Sequence, residues 1–288
     1  MAATATQPGE IDGVEAPLKY LASADEAPVY VASRGGGDTS LHQGAYVLQP
    51  VAIRNARRRA EGFSLDREGF ALARHASAVR DFYDDAEIAA VYEPEVKALV
   101  ARETGARRVE IFDHTRRSAS HDVQKTRRIR EPASIVHNDY TARSGPRRLR
   151  DHFAAARKDA PGEYLEEAER LLARRFAIVN VWRSIRGPVL SAPVALCDAA
   201  SVAPADLVSV ERQAKERIGE IQQAVYNPAH RWYYFPAMQL DEALLIKTYD
   251  SATDGRARFT LHTSFDDPNA ASEAPPRESL ETRCFAFF

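Results

Sequence analysis

The feature that most limits what this chain can become is a train of short, β-prone apolar runs in its second half. Residues 176–182 (FAIVNVW), 193–197 (PVALC), 231–235 (RWYYF), 243–249 (ALLIKTY), 257–265 (ARFTLHTSF) and 280–288 (LETRCFAFF) each read as a strand, with turn-rich segments between them. A further strand is expected at 109–114 (VEIFDH). Helical spacing occurs over 78–105, where Phe82, Ile88, Val91, Tyr92, Val96, Leu99 and Val100 mark one face and Gly105 is placed to end it. Residues 161–174 and 206–225 also read as helices, and the basic stretch 116–130 reads as a loop. Strands and helices do not alternate as regular βαβ units.

This arrangement predicts an α+β chain with a mainly β core: a double-stranded β-helix, the jelly-roll or cupin-like barrel, with flanking helices. At 288 residues the chain can bury one large core. Residues 1–15 are small and polar and are expected to be disordered, leaving 16–288 as a single domain; residues 34–40 (RGGGDTS) read as a flexible loop.

Net charge is −2, from 39 basic and 41 acidic residues, so no overall positive field exists to hold a nucleic-acid backbone. Only six of the basic residues are lysine. Arginine suits bidentate contacts to carboxylate or phosphate, although coding bias also produces such an excess. Cys197 and Cys284 cannot build a disulfide framework, no apolar run is long enough to span a membrane, and the first residues lack a secretory signal. A cytoplasmic enzyme acting on a small-molecule substrate, without nucleic acid or membrane, is the expectation; a homo-oligomer is compatible with it.

The segment IVHNDYT (135–141) places His137 and Asp139 two residues apart behind an apolar pair. In an extended strand such residues point to the same side. An imidazole and a carboxylate there supply two corners of a two-histidine, one-carboxylate iron site that leaves positions open. By itself the motif is weak: eight histidines and 41 acidic residues give about one His-x-Asp/Glu by chance, and one occurs. A strand-end histidine bonded to a turn aspartate is the bland alternative. The third ligand must come from downstream, where His262 (RFTLHTSF) and His230 (NPAHRWYYFP) are the candidates.

The stretches VHNDYT, NVWRSIRGPV, LCDAASV, HRWYYFP, DEALLIKTYDS, ARFTLHTSFDDP and PPRESLETR, in this order, resemble the hydroxylase/desaturase family that includes the cephamycin methoxylation protein and fungal secondary-metabolite oxygenases. The resemblance covers roughly residues 105–288. It implies a double-stranded β-helix using Fe(II), with 2-oxoglutarate and dioxygen as co-substrates, to hydroxylate, desaturate or oxidatively cyclise a small metabolite. By matching motifs, His137, Asp139 and His262 take the metal-ligand roles, and Arg277 with Ser279 would bind 2-oxoglutarate; no catalytic residue beyond the ligands is implied. The family commonly reads WRPI and HTAF where this chain reads WRSI (182–185) and HTSF (262–265), and neither departure removes a ligand.

Two other readings stay open from sequence. One is a cupin-type iron dioxygenase that needs no 2-oxoglutarate, with Arg277 on a substrate carboxylate. The other is a ligand-binding barrel without metal or activity, in which the three polar side chains only hydrogen-bond one another.

Overall fold

The computed structural model describes residues 12–25, 28–38, 40–156, 161–214 and 217–288. Its strands, in chain order, are β1 (Gly13–Leu21), β2 (Val29–Val31), β3 (Leu41–Gln43), β4 (Tyr46–Asn55), β5 (Phe70–Arg74), β6 (Arg108–Ser118), β7 (His137–Asn138) and β8 (Phe176–Ser184). These are followed by β9 (Val194–Cys197), β10 (Leu207–Ala214), β11 (Arg217–Ala224), β12 (Trp232–Tyr234), β13 (Glu242–Asp250), β14 (His262–Ser264) and β15 (Glu278–Phe287). One sheet runs β1-β4-β12-β9-β14-β7-β11-β10-β2-β3 and the other β5-β13-β8-β15-β6. Side chains of both sheets meet between them: Phe70, Trp182, Leu244 and Ile246 from the smaller sheet pack with Leu196 and Tyr233 from the larger. The result is the expected double-stranded β-helix with a mainly β core.

β8 and β13 are buried along their whole length, because each is covered on both faces. On the outside, Val179, Val181 and Leu245 meet Val96, Leu99 and Val100 of the helix Glu93–Thr104. That helix carries Glu93 and Glu95 in its first turn and ends at Gly105, which takes φ 73° and donates its N–H to the Ala101 carbonyl. On the inside, alternate residues of β8 and β15 are free to face the barrel.

Four expectations are corrected. Residues 206–225 form not a helix but the antiparallel hairpin β10–β11, with Leu207 opposite Ala224. Their glutamates, glutamines and alanines favour a helix, but burial alternates at period two through Asp206, Val208 and Val210, and the pairing with neighbours decides. Residues 116–130 are not a loop throughout: β6 runs to Ser118, and a helix spans His121–Arg127, where the Ser120 hydroxyl accepts the Val123 N–H. Of 257–265 only His262–Ser264 is strand. Of the N-terminal segment expected to be disordered, residues 1–11 lie outside the described residues, and β1 begins at Gly13, before residue 16.

Candidate metal centre and co-substrate pocket

His137 lies on β7, and His262 stands directly opposite it on β14 in an antiparallel pair, with ring centroids 4.4 Å apart. Asp139 follows β7 by one residue and turns to the same side as His137, its Oδ1 3.6 Å from His137 Nε2. One ligand atom from each of the three residues lies within 4.8 Å of the other two. His230 is elsewhere: its Nδ1 meets the Tyr20 hydroxyl and its Nε2 meets Asp206, both at 3.1 Å. With both nitrogens engaged, it belongs to a buried Trp232–Tyr20–His230–Asp206 chain rather than to this cluster.

The surroundings of the three residues leave one atom of each free. A backbone carbonyl can only accept, so His137 Nδ1 must donate to Ile135 O at 2.8 Å and His262 Nδ1 to Thr260 O at 3.3 Å. Both Nε2 lone pairs therefore face the cluster. Asp139 Oδ2 accepts from Asn180 Nδ2 at 2.8 Å and Arg283 Nε at 3.0 Å, which leaves Oδ1. Burial opposes ionisation of Asp139, but Arg283, His137 and His262 hold its carboxyl well below the usual range. Burial, with His137 beside it, pushes His262 down to about 3, so its imidazole is neutral. Two imidazoles and one ionised carboxylate, each oriented by a second hydrogen bond, are a donor set that fits a divalent first-row metal with open positions.

Next to it lies a small cavity lined by Trp182, Val194, Ile246, His262, Ser264 and Arg277, among others. Arg277 is 4% exposed, its guanidinium lies over the Trp182 ring at 5.3 Å, and among the described residues no carboxylate forms an ion pair with it. Its Nη1 donates to Ala192 O and to Ser264 Oγ, while Nε has no partner. Burial, with the charge of Arg117 nearby, pulls the group down to about 9. Ser279 is buried and its hydroxyl is likewise unpartnered. A buried cation and hydroxyl with donors to spare fit a carboxylate-bearing ligand.

The sequence reading missed Asn180 as the residue that holds Asp139, and Arg283, which clasps Asp139, Asp113 and Glu281. A signal existed: Ser279, Glu281 and Arg283 fall at every second residue of β15, in register with Arg277 just before it, a polar stripe on one face of a buried strand. Ser264, one of the two departures from the usual family pattern, contacts Arg277 directly.

A barrel of this kind with two histidines and a carboxylate converging at one end of its interior defines the class of non-haem iron oxygenases. The family model described as an oxidoreductase/YMDC permease-like domain matches residues 18–287. No helix among the described residues is long and apolar enough to cross a membrane. The hydroxylase/desaturase CTB9 of Cercospora beticola is 36% identical over 275 residues, 88% of this chain and 81% of that protein. The Fe(II)/2-oxoglutarate-dependent dioxygenase nvfI of Aspergillus novofumigatus is 32% identical over 245 residues, 82% of each chain. The solved structure of the iron and alpha-ketoglutarate-dependent endoperoxidase NvfI superposes with a TM-score of 0.79 at 28% identity, covering 95% of this chain and 97% of that one. The chain belongs to the hydroxylase/desaturase family of Fe(II)- and 2-oxoglutarate-dependent oxygenases.

Proposed function

We propose that His137 Nε2, Asp139 Oδ1 and His262 Nε2 hold the ferrous ion, that Arg277 and Ser279 bind the distal carboxylate of 2-oxoglutarate, and that a small secondary metabolite is hydroxylated, desaturated or oxidatively cyclised. The observation that carries this reading is the convergence of three donor atoms whose partner atoms are already engaged. Bound there, ferrous iron supplies the redox chemistry that couples decarboxylation of 2-oxoglutarate to use of dioxygen. Asn180 and Arg283 keep Asp139 ionised and aimed, and Trp182 gives the Arg277 guanidinium a flat face to lie on. The chain acts as a single oxygenase domain, since β1 and β4 join the sheet that carries β7 and β14. A reducing, cytoplasmic setting accords with Cys197 and Cys284, both free and buried.

The test is an anaerobic titration of the Fe(II) protein with 2-oxoglutarate, following the visible charge-transfer band. Losing a charge-assisted hydrogen bond costs about 1.5–3 kcal/mol, so Arg277→Lys and Arg277→Ala should weaken 2-oxoglutarate roughly ten- to a hundredfold with iron binding retained. His137→Ala, Asp139→Ala and His262→Ala should lose iron, and His230→Ala should keep it. Unchanged co-substrate affinity in both Arg277 variants would remove that residue from the site. An iron-loaded protein without the band, forming product without succinate, would favour an iron dioxygenase that needs no 2-oxoglutarate.

A further inference from the structure

A second, larger cavity of about 790 Å³ adjoins the metal centre and shares Arg117, Ala133, His137 and Arg283 with the smaller one. Among its lining residues, arginine and lysine outnumber carboxylates two to one. Several of these cations are committed elsewhere. Arg116 pairs with Asp85, Arg283 with Asp113 and Asp139, and Arg148 lies over the Phe112 ring at 4.6 Å.

Arg130 differs. Among the described residues no hydrogen bond or ion pair engages its side chain, although it is half-buried. Its backbone bridges that of Arg117, so the two arginines leave neighbouring segments side by side. Burial and the like charges of Arg117, Arg212 and Arg283 all lower its pKa. Arg117 gives one Nη1 donor to the Glu131 carbonyl at 2.8 Å and lines both cavities. Glu131, next to Arg130 in the chain, also lines the cavity; its Oε1 accepts the Ser40 N–H at 2.9 Å and its Oε2 has no hydrogen-bond partner among the described residues. Tyr30 and His42 stack nearby with ring centroids 4.7 Å apart, and His42 Nδ1 is buried without a partner. Crowded, partly desolvated cations without a counter-ion are costly until an anion arrives. The presence of Glu131 and Asp139 in the lining of the same cavity favours a monoanion over a dianion.

We propose that Arg130 and Arg117 bind a carboxylate of the substrate in this larger cavity, so that the enzyme selects an organic carboxylate with a flat group against Tyr30 and His42. This rests on reading His137, Asp139 and His262 as the iron site, towards which the rest of the substrate extends. The carboxylate site is distinguished from the one assigned to 2-oxoglutarate by Arg130, which lines only the larger cavity, and Arg277, which lines only the smaller, with Arg117 on both.

The test uses the Fe(II)·2-oxoglutarate protein under anaerobic conditions, with 2-naphthoate and its neutral counterpart 2-naphthamide as probes in equilibrium titrations. Naphthoate should bind at least tenfold more tightly than the amide. Arg130→Gln, which breaks no side-chain hydrogen bond or ion pair among the described residues, should abolish that preference, and Arg130→Lys should restore part of it. The 2-oxoglutarate charge-transfer band and the far-UV circular dichroism should be unchanged in both. Equal binding of the two probes, no binding of naphthoate, or an undiminished preference in Arg130→Gln would overturn the proposal. A protein that lacks the band yet prefers naphthoate through Arg130 would sink the iron-and-2-oxoglutarate reading and leave the anion site standing.

Discussion

At the scale of single residues, the proposed metal centre depends on groups outside the three donors themselves. Asn180 contributes one hydrogen bond to Asp139 Oδ2, and its removal leaves all three donors in place. Loss of such a supporting contact typically weakens metal binding 10- to 100-fold, and that is the expectation for Asn180→Ala in a competitive Zn(II) or Fe(II) titration. Affinity equal to that of the wild type would mean that Arg283 alone orients the carboxylate. The cysteines behave in the opposite way. Burial pushes Cys197 up to about 12 and raises Cys284 as well, so neither offers a thiolate at neutral pH. Native protein should not react with a disulfide reagent such as DTNB within minutes, whereas denatured protein should release two equivalents. Rapid native labelling would show a path to solvent that the fold does not contain.

At the scale of elements, two glycines with the same backbone sign separate strain from crowding. Gly105, at φ +73°, ends the outer helix where an added methyl would meet nothing within 4 Å. Gly69, at φ +88°, faces Phe259 O and Thr260 Cβ, each at 3.0 Å from that position. Gly105→Ala should cost about 1 kcal/mol, the left-handed penalty alone. Gly69→Ala should cost more and also weaken metal binding, since Thr260 O orients His262. Urea denaturation and a metal titration read both effects, and equal costs would contradict the packing argument. Legibility from sequence divides along similar lines. The outer helix and β8, β13 and β15 were readable because each buries a continuous apolar face that no neighbour has to complete. β10 and β11 were not, because their residues favour a helix and only pairing with each other and with β2 and β7 makes them strands. In the site, His137, Asp139 and His262 were legible through motif order, and Asn180 was not, because a buried amide in a strand carries no local mark of what it holds.

At the scale of the molecule, several buried or half-buried histidines are harder to protonate in the fold than in the unfolded chain. His75, His152 and His230 are all lowered, in each case by burial first. The unfolded chain therefore binds more protons than the native one once pH drops below about 6.5, so stability must fall with pH in that window. Each such histidine contributes at most about 1.4 kcal/mol per pH unit, and less where solvent reaches it. The urea midpoint of metal-free protein should decline between pH 6.5 and roughly 5; a constant or rising midpoint would mean that these rings titrate as freely in the fold as out of it. β15 has a consequence of another kind. It sits between β8 and β6, pairing with residues that precede it in the chain by about a hundred and about a hundred and seventy positions, and it carries Ser279 and Arg283, with Arg277 just before it. During synthesis the smaller sheet must wait on the ribosome with a strand-wide gap between β8 and its edge strand β6, exposing the backbone edges of both to any other strand that passes. The same late insertion that closes the gap delivers the clamp proposed for 2-oxoglutarate, so on that reading a nascent chain has no means of engaging the co-substrate before its sheet is complete.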